Sequence, residues 1–92
     1  MNWEEIIKLV EGYFPGWKPL VEPPKDLRTV RVVHLFSPDV RFCVSYLPDS
    51  ASLPSWALWY SPRPSGGWDM LGRKGSPAEL VPTYLVYSVM TS

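Results

Sequence analysis

The 92-residue chain has little of the chemistry that enzymes and metal sites commonly need. It contains one cysteine, Cys43, and one histidine, His34. A single cysteine excludes a disulfide within the chain and favours a reducing compartment, so we expect the protein to be cytoplasmic. The two residues together supply too few ligands for a structural zinc site. No metal and no cofactor is therefore predicted.

The chain also lacks a surplus of either charge. Nine Lys and Arg residues balance nine Asp and Glu residues, which gives a formal net charge of +0. Proteins dedicated to duplex DNA are usually basic, so this balance argues against such a role. No apolar run approaches the roughly 20 residues that a membrane-spanning helix needs. A membrane is therefore not expected as a partner.

Apolar residues, by contrast, are abundant, at 46% of the chain, while charged residues make up 20%. This composition predicts a single small folded domain over residues 1–92. From Trp3 to Phe14 the apolar residues recur every three or four positions, which indicates an amphipathic helix. Gly12 and Pro15 favour its end between residues 11 and 14.

The clearest strand signal is a β-hairpin over residues 28–36 and 40–47, joined by a turn at 37–39. A three-residue turn puts His34 opposite Phe42 and gathers the even-numbered apolar residues of both strands on one face. We expect that face to pack against the helix. The only histidine is then a packed core residue rather than a catalytic group.

The odd-numbered face of this hairpin carries Val33, Leu35 and Cys43 together with arginines. One short helix cannot cover both faces of a sheet, so this second face is predicted to be partly exposed. Such a surface suits a partner or a second copy of the chain. A homodimer through the outer sheet face is therefore possible.

The remaining chain completes an α+β fold, with the N-terminal helix packed on a four- to five-stranded, mostly antiparallel sheet. A third strand is predicted at 56–61 and a short fourth strand at 67–71. Ser76 followed by proline predicts one helical turn at 77–81. Residues 83–90 are apolar on both alternations, which is typical of a central strand covered on both faces.

The candidate site is a loop rich in tryptophan, arginine, proline and glycine. Tryptophan and arginine are enriched at the energetic centres of protein interfaces. Arg63, Trp68 and Arg73 are the predicted anchors, with Trp59 and Asp69 supporting them. We expect a non-enzymatic module that binds a macromolecule, most naturally a protein, as an inhibitor, adaptor or immunity-type protein.

Two other functions remain open. The same aromatic and arginine side chains can stack and neutralise single-stranded nucleic acid. A small enzyme is the more remote alternative, and it would have to use His34 or Cys43. The sequence also leaves open whether Trp56 and Trp59 belong to the core or to the surface.

Overall fold

The computed structural model describes residues 3–20, 33–47, 54–62 and 66–91. Two helices and a four-stranded antiparallel sheet of order β1-β2-β3-β4 confirm the predicted α+β class. Among these residues, no helix is both long enough and apolar enough to cross a membrane. The elements are α1 (Trp3–Glu11), β1 (Val33–Phe36), β2 (Phe42–Tyr46), β3 (Trp56–Tyr60), β4 (Asp69–Lys74), a short 3-10 helix (Pro77–Leu80) and α2 (Val81–Met90).

Helix α1 buries one apolar stripe, as its spacing predicts. Ile6 and Val10 are completely buried, while Glu4 and Glu5 occupy the first turn, where carboxylates are favoured by the helix dipole. The apolar stripe continues beyond the helix in Trp17, which is also buried. These side chains join the core, so the helix is held to the sheet by apolar packing.

One face of the sheet, here called the inner face, forms the core together with both helices. Successive side chains of a strand point to opposite faces, so every second residue contributes. Trp56 is a core residue, which answers one of the questions that the sequence leaves open. The inner-face core residues are Val33, Leu35, Phe42, Val44, Trp56 and Leu58.

The predicted register of the first hairpin is wrong. His34 pairs with Ser45 and not with Phe42, and Phe36 pairs with Cys43. The shift brings odd-numbered residues of β1 and even-numbered residues of β2 to the same face. Val33 is consequently buried in the core rather than lying on an exposed second face.

Side-chain hydrogen bonds in the turn explain this shift. The backbone N–H of Phe42 donates to Ser37 Oγ at 3.0 Å, and the Ser37 hydroxyl donates to Asp39 Oδ1 at 2.7 Å. Asp39 Oδ1 also accepts the backbone N–H of Arg41. The turn closes with Val40 in the left-handed region at φ 57. Val33 and Leu35 are therefore core residues and not part of an exposed outer face, and a homodimer through the outer sheet face stays a prediction.

The predicted strand over residues 83–90 is also wrong, because these residues belong to helix α2. Pro82 lies in the first turn, where its missing N–H and fixed φ are compatible with a helix. Tyr84 anchors the helix to the core through edge-on ring contacts with Phe14, Trp17 and Phe42, at centroid distances of 5.6, 5.2 and 5.0 Å. The opposite side of α2 exposes four apolar side chains: Leu85, Val86, Val89 and Met90.

Strand β4 starts and ends later than the predicted 67–71, since it begins at Asp69 and continues to Lys74. Leu58 pairs with Gly72, whereas Trp59 pairs with Met70, so Leu71 is an extra residue in β4. A bulge of this kind bends a strand and redirects its side chains, and bulges are frequent beside functional sites.

Candidate functional site

The outer face of the sheet, opposite the inner face, presents a row of side chains across three strands. Cys43 in the middle strand pairs with Phe36 on one side and with Trp59 on the other. Trp68, which immediately precedes β4, lies against Phe36. These residues and His34 line a cavity of ≈ 190 Å³, which we call the aromatic cup.

The walls of the cup are aromatic rings in contact with one another. Phe36 and Trp68 are 5.5 Å apart between ring centroids and meet at 62°, an edge-to-face arrangement. His34 and Phe36 lie 6.0 Å apart at 39°. Trp59 and Trp68 are both partly exposed. Ring faces and edges are therefore accessible to a bound group.

The polar groups at the base of the cup bind one another. His34 Nδ1 lies 2.6 Å from Ser45 Oγ and 3.5 Å from Cys43 Sγ. Cys43 Sγ is 3.6 Å from Ser45 Oγ, and both of these residues are buried. The strand pairing of His34 with Ser45 creates this triangle, because paired residues project to the same face.

Burial keeps these groups uncharged near neutral pH. Desolvation raises the pKa of Cys43 to about 11, although the hydrogen bond from Ser45 opposes the shift. Desolvation also lowers the pKa of His34 below its ordinary value. A thiol close to an imidazole resembles a nucleophile and its base, but an activated cysteine has a lowered pKa, not a raised one. The cup is therefore a neutral, mainly apolar cavity.

One buried donor belongs to a residue of the cup. Trp59 Nε1 is buried and has no hydrogen-bond partner among the described residues. Buried indole N–H groups usually find a partner, since an unpaired buried donor costs about 1–3 kcal/mol.

A second, more polar cleft adjoins the cup and shares Phe36 and Trp68 with it. Its volume is ≈ 410 Å³, and its lining includes Asp39, Arg41 and Ser61. The hydrogen bond from the hairpin serine holds the pKa of Asp39 below its usual value, so its carboxylate is charged at neutral pH. Cup and cleft together form an apolar pocket continued by a groove of mixed polarity.

The structure brings two of the predicted site residues together and separates the others. Trp59 and Trp68 both line the cup. Asp69 lies beside Trp68 and lines a shallow depression with Gly66, outside the cup. Arg73 does not line the cup: its Nη2 donates to the carbonyl of Pro54 at 2.9 Å. The predicted anchor Arg63 lies outside the described residues.

Sequence reasoning missed the contribution of β1 to the site. His34 and Phe36 are exposed or partly exposed, whereas the predicted register put both on the core face. The signal that identifies their true orientation is the serine and aspartate in the hairpin turn, Ser37 and Asp39. Their side chains replace backbone hydrogen bonds and lengthen the connection.

No family model, no curated protein and no solved structure matches this chain. Within the described ranges, no group of three or more His, Cys, Asp or Glu side chains is placed to hold a metal ion. The function must accordingly be argued from the cup and its surroundings.

Proposed function

We propose that the protein is a non-enzymatic protein-binding module, of inhibitor, adaptor or immunity type, whose contact surface is the aromatic cup and the adjoining cleft. The observation that carries this proposal is the cavity of ≈ 190 Å³ between Phe36, Trp59 and Trp68. Protein interfaces combine an apolar, aromatic centre with a polar rim. The neutral cup and the charged edge of the cleft have that arrangement.

The state of Cys43 supports a binding role over catalysis. Its thiol is buried and its pKa is raised to about 11. Its neighbours His34 and Ser45 are engaged with each other at 2.6 Å. A resting nucleophile would instead be a thiolate stabilised by a positive charge.

The charges around the cup favour a protein over single-stranded nucleic acid. Base-stacking surfaces are usually flanked by a basic groove that follows the phosphates. Among the described residues no cation lines the cup, and Arg41 in the cleft is accompanied by the carboxylate of Asp39. A peptide chain with few charges fits this surface better than a polyanion does.

The proposal is tested by capturing partners from the native host with three immobilised proteins: wild type, Trp68→Ala and Tyr13→Ala. Tyr13 is the matched control, since it is an aromatic residue with 46% exposure that lies outside the cup. We expect a stoichiometric protein partner with wild type and with Tyr13→Ala. Its affinity for Trp68→Ala should be about 30-fold lower, as for a hot-spot residue.

Two results would contradict the proposal. A partner that binds Trp68→Ala as tightly as wild type would place the contact surface elsewhere. Binding of an oligothymidylate that weakens steeply between about 50 and 200 mM salt would favour the nucleic-acid alternative. A Trp-centred protein interface is expected to weaken much less over the same range.

A further inference from the structure

We propose that two copies of the chain join edge to edge through strand β4, which pairs antiparallel with itself across a two-fold axis. The two four-stranded sheets then become one continuous sheet. Symmetric pairs of this kind, in which the same surface meets itself, are the commonest form of protein oligomer. Edge pairing leaves the outer face and its aromatic cup open, so this interface goes beyond the proposed function and does not depend on it.

The two edges of the sheet differ in what covers them. At the β1 edge, the N–H of Phe36 donates to the carbonyl of Lys18 at 2.8 Å, and the N–H of Lys18 donates back at 3.0 Å. At the opposite edge, β4 pairs with β3, and no other backbone group among the described residues bonds to it. An edge strand that no other strand covers is a template for pairing with another chain.

The charges of β4 match a second copy of the same strand. In an antiparallel pairing centred between Leu71 and Gly72, Asp69 of each chain lies opposite Lys74 of the other. Opposite charges that face each other across a strand pair attract. Both side chains are exposed in the single chain, so they are accessible to a second copy. The pairing places two such ion pairs at the ends of the interface.

The bulge in β4 makes this register possible. A two-fold axis normal to the sheet keeps each face on its own side, so residues opposite each other must project to the same face. In a regular strand, residues five apart project to opposite faces. Here Asp69 pairs with Tyr60 and Lys74 pairs with Trp56, and these two partners are four apart in β3 and share a face. The extra residue, Leu71, therefore brings both charges of β4 to one face.

The same features select against other strands. Charged side chains and bulges normally protect an edge strand from pairing. A regular strand without a matching extra residue cannot follow the bulge. A shift of the register by two residues in either direction removes both ion pairs between Asp69 and Lys74. The strand that satisfies the charges and the bulge together is a second β4.

Helix α2 adds an apolar contact on the inner side of the same edge. The methyl group of Thr83 lies 4.0 Å from the position that a Cβ on Gly72 would take, so this side of α2 lies beneath β4. Val86 and Met90 follow Thr83 by three and seven residues and so share its side of the helix. They are 57% and 72% exposed. Joining two β4 strands brings this apolar side of α2 towards its own copy.

The first test is sedimentation velocity of the full chain at micromolar to millimolar concentration, where wild type should form a species of twice the mass of one chain. Asp69→Lys and Lys74→Asp each put like charges opposite each other and should weaken dimerisation by roughly 10-fold or more. An equimolar mixture of these two variants should restore dimerisation, because each pair across the interface then joins opposite charges. Glu11→Lys reverses an exposed charge on α1 and is the matched control, which should dimerise like wild type.

The second test separates the two sides of α2. Val86 and Leu85 are 57% and 55% exposed, so their replacement by lysine is a matched pair. Successive helix residues are rotated by roughly 100°, which turns Leu85 away from the side that Thr83 and Val86 share. Val86→Lys should weaken dimerisation by about 10-fold, because it puts a charge in an apolar contact of both copies. Leu85→Lys should leave dimerisation unchanged.

Four results would overturn the inference in whole or in part. A chain that sediments as a monomer at every concentration would show that β4 does not pair with itself. A dimer retained by both charge-reversed variants would place the interface elsewhere, such as on the outer sheet face. Failure of the mixed variants to pair, although circular dichroism shows each to be folded, would refute the register. Equal effects of Val86→Lys and Leu85→Lys would refute the contact through α2.

Discussion

Replacing Trp68 by alanine measures how much of this side chain supports the fold and how much is available to a partner. Trp68 is partly buried, and its described aromatic contact is the edge-to-face packing on Phe36 at 5.5 Å. A purely structural tryptophan and a purely exposed one would give very different losses of stability. The structure places Trp68 between these two cases.

The expected loss follows from the buried area. Trp68 keeps part of its surface exposed, so the alanine variant loses less than the roughly 250 Å² that a tryptophan can bury, on the order of half of it. At about 25 cal/mol per Å² this corresponds to about 3 kcal/mol. Residual burial in the unfolded chain lowers the value to about 2 kcal/mol. The cup is open, so no closed cavity adds to the loss.

Two other aromatic residues bracket this value. Trp17 is 4% exposed and packs between Phe14 and Tyr84 at centroid distances of 4.6 and 5.2 Å. Its replacement by alanine leaves a closed cavity and should cost about 3–5 kcal/mol. Tyr13 is 46% exposed, and its replacement should cost less than about 1 kcal/mol.

Urea unfolding of the three variants, followed by circular dichroism, tests this order. The midpoint should fall most for Trp17→Ala, less for Trp68→Ala and least for Tyr13→Ala, with an unchanged slope. A loss for Trp68→Ala as large as that for Trp17→Ala would make Trp68 a core residue and refute its role in a surface cup. A loss near zero would refute the packing on Phe36.

Further outcomes follow from Cys43, from Val40 and from the exposed side of α2. Cys43 should resist iodoacetamide in the folded protein at neutral pH. The pKa of Cys43 rises from 9.0 to about 11 on folding, so the thiol of the unfolded chain ionises at a lower pH than the thiol of the folded chain. The free energy of unfolding, measured by urea titration, should therefore fall between about pH 9 and 11. The fall should be smaller in Cys43→Ala, which has no thiol to ionise. Val40→Gly should retain or raise the urea midpoint, since it removes a β-branched residue from φ 57, and a loss above about 1 kcal/mol would contradict this. On α2, Leu85 is 55% exposed and Val89 is 75% exposed. Replacing either residue by lysine should change the free energy of unfolding by less than about 0.5 kcal/mol in thermal unfolding. A larger loss would mean that α2 packs through the side that carries these two residues.

The parts of the fold that the sequence predicts well are those where one apolar face is unambiguous. The three- and four-residue spacing of Trp3, Ile6 and Val10 leaves only a helix as a reasonable interpretation. The alternation of side chains in Trp56–Tyr60 predicts strand β3, although alternation alone does not say which face of the strand is buried. That Trp56 is core and Trp59 lies on the outer face depends on packing against elements distant in sequence.

The errors arise where side-chain hydrogen bonds or ends of elements decide the structure. The turn at Ser37 and Asp39 sets the register of β1 against β2, and a strand pattern contains no record of it. Since a shift by an odd number of residues exchanges the two faces, the predicted register puts His34 and Phe36 on the core face, whereas they lie on the outer face. The cup was missed for the same reason, although Trp68 was recognised as a candidate binding residue.

The C-terminal error has a different cause. Residues 83–90 are rich in β-branched and aromatic residues, which favour strands in isolation. Pro82 is interpreted equally well as the end of one helix or as the first turn of the next. Docking of Tyr84 on the aromatic core favours the helix, and that tertiary contact is not visible in the local pattern.

The same segment makes helix α2 the part of the fold at which aggregation can begin. Residues 83–90 contain no charge, no proline and no glycine, a composition typical of segments that stack into intermolecular β-sheets once they are extended. In the folded chain, helical hydrogen bonds occupy their backbone groups, and the ring of Tyr84 holds the helix on the core. Detachment of this one helix from the core would release a segment prone to aggregation while the sheet remains folded. The rate of aggregation is therefore expected to depend on local opening of α2 rather than on unfolding of the whole domain.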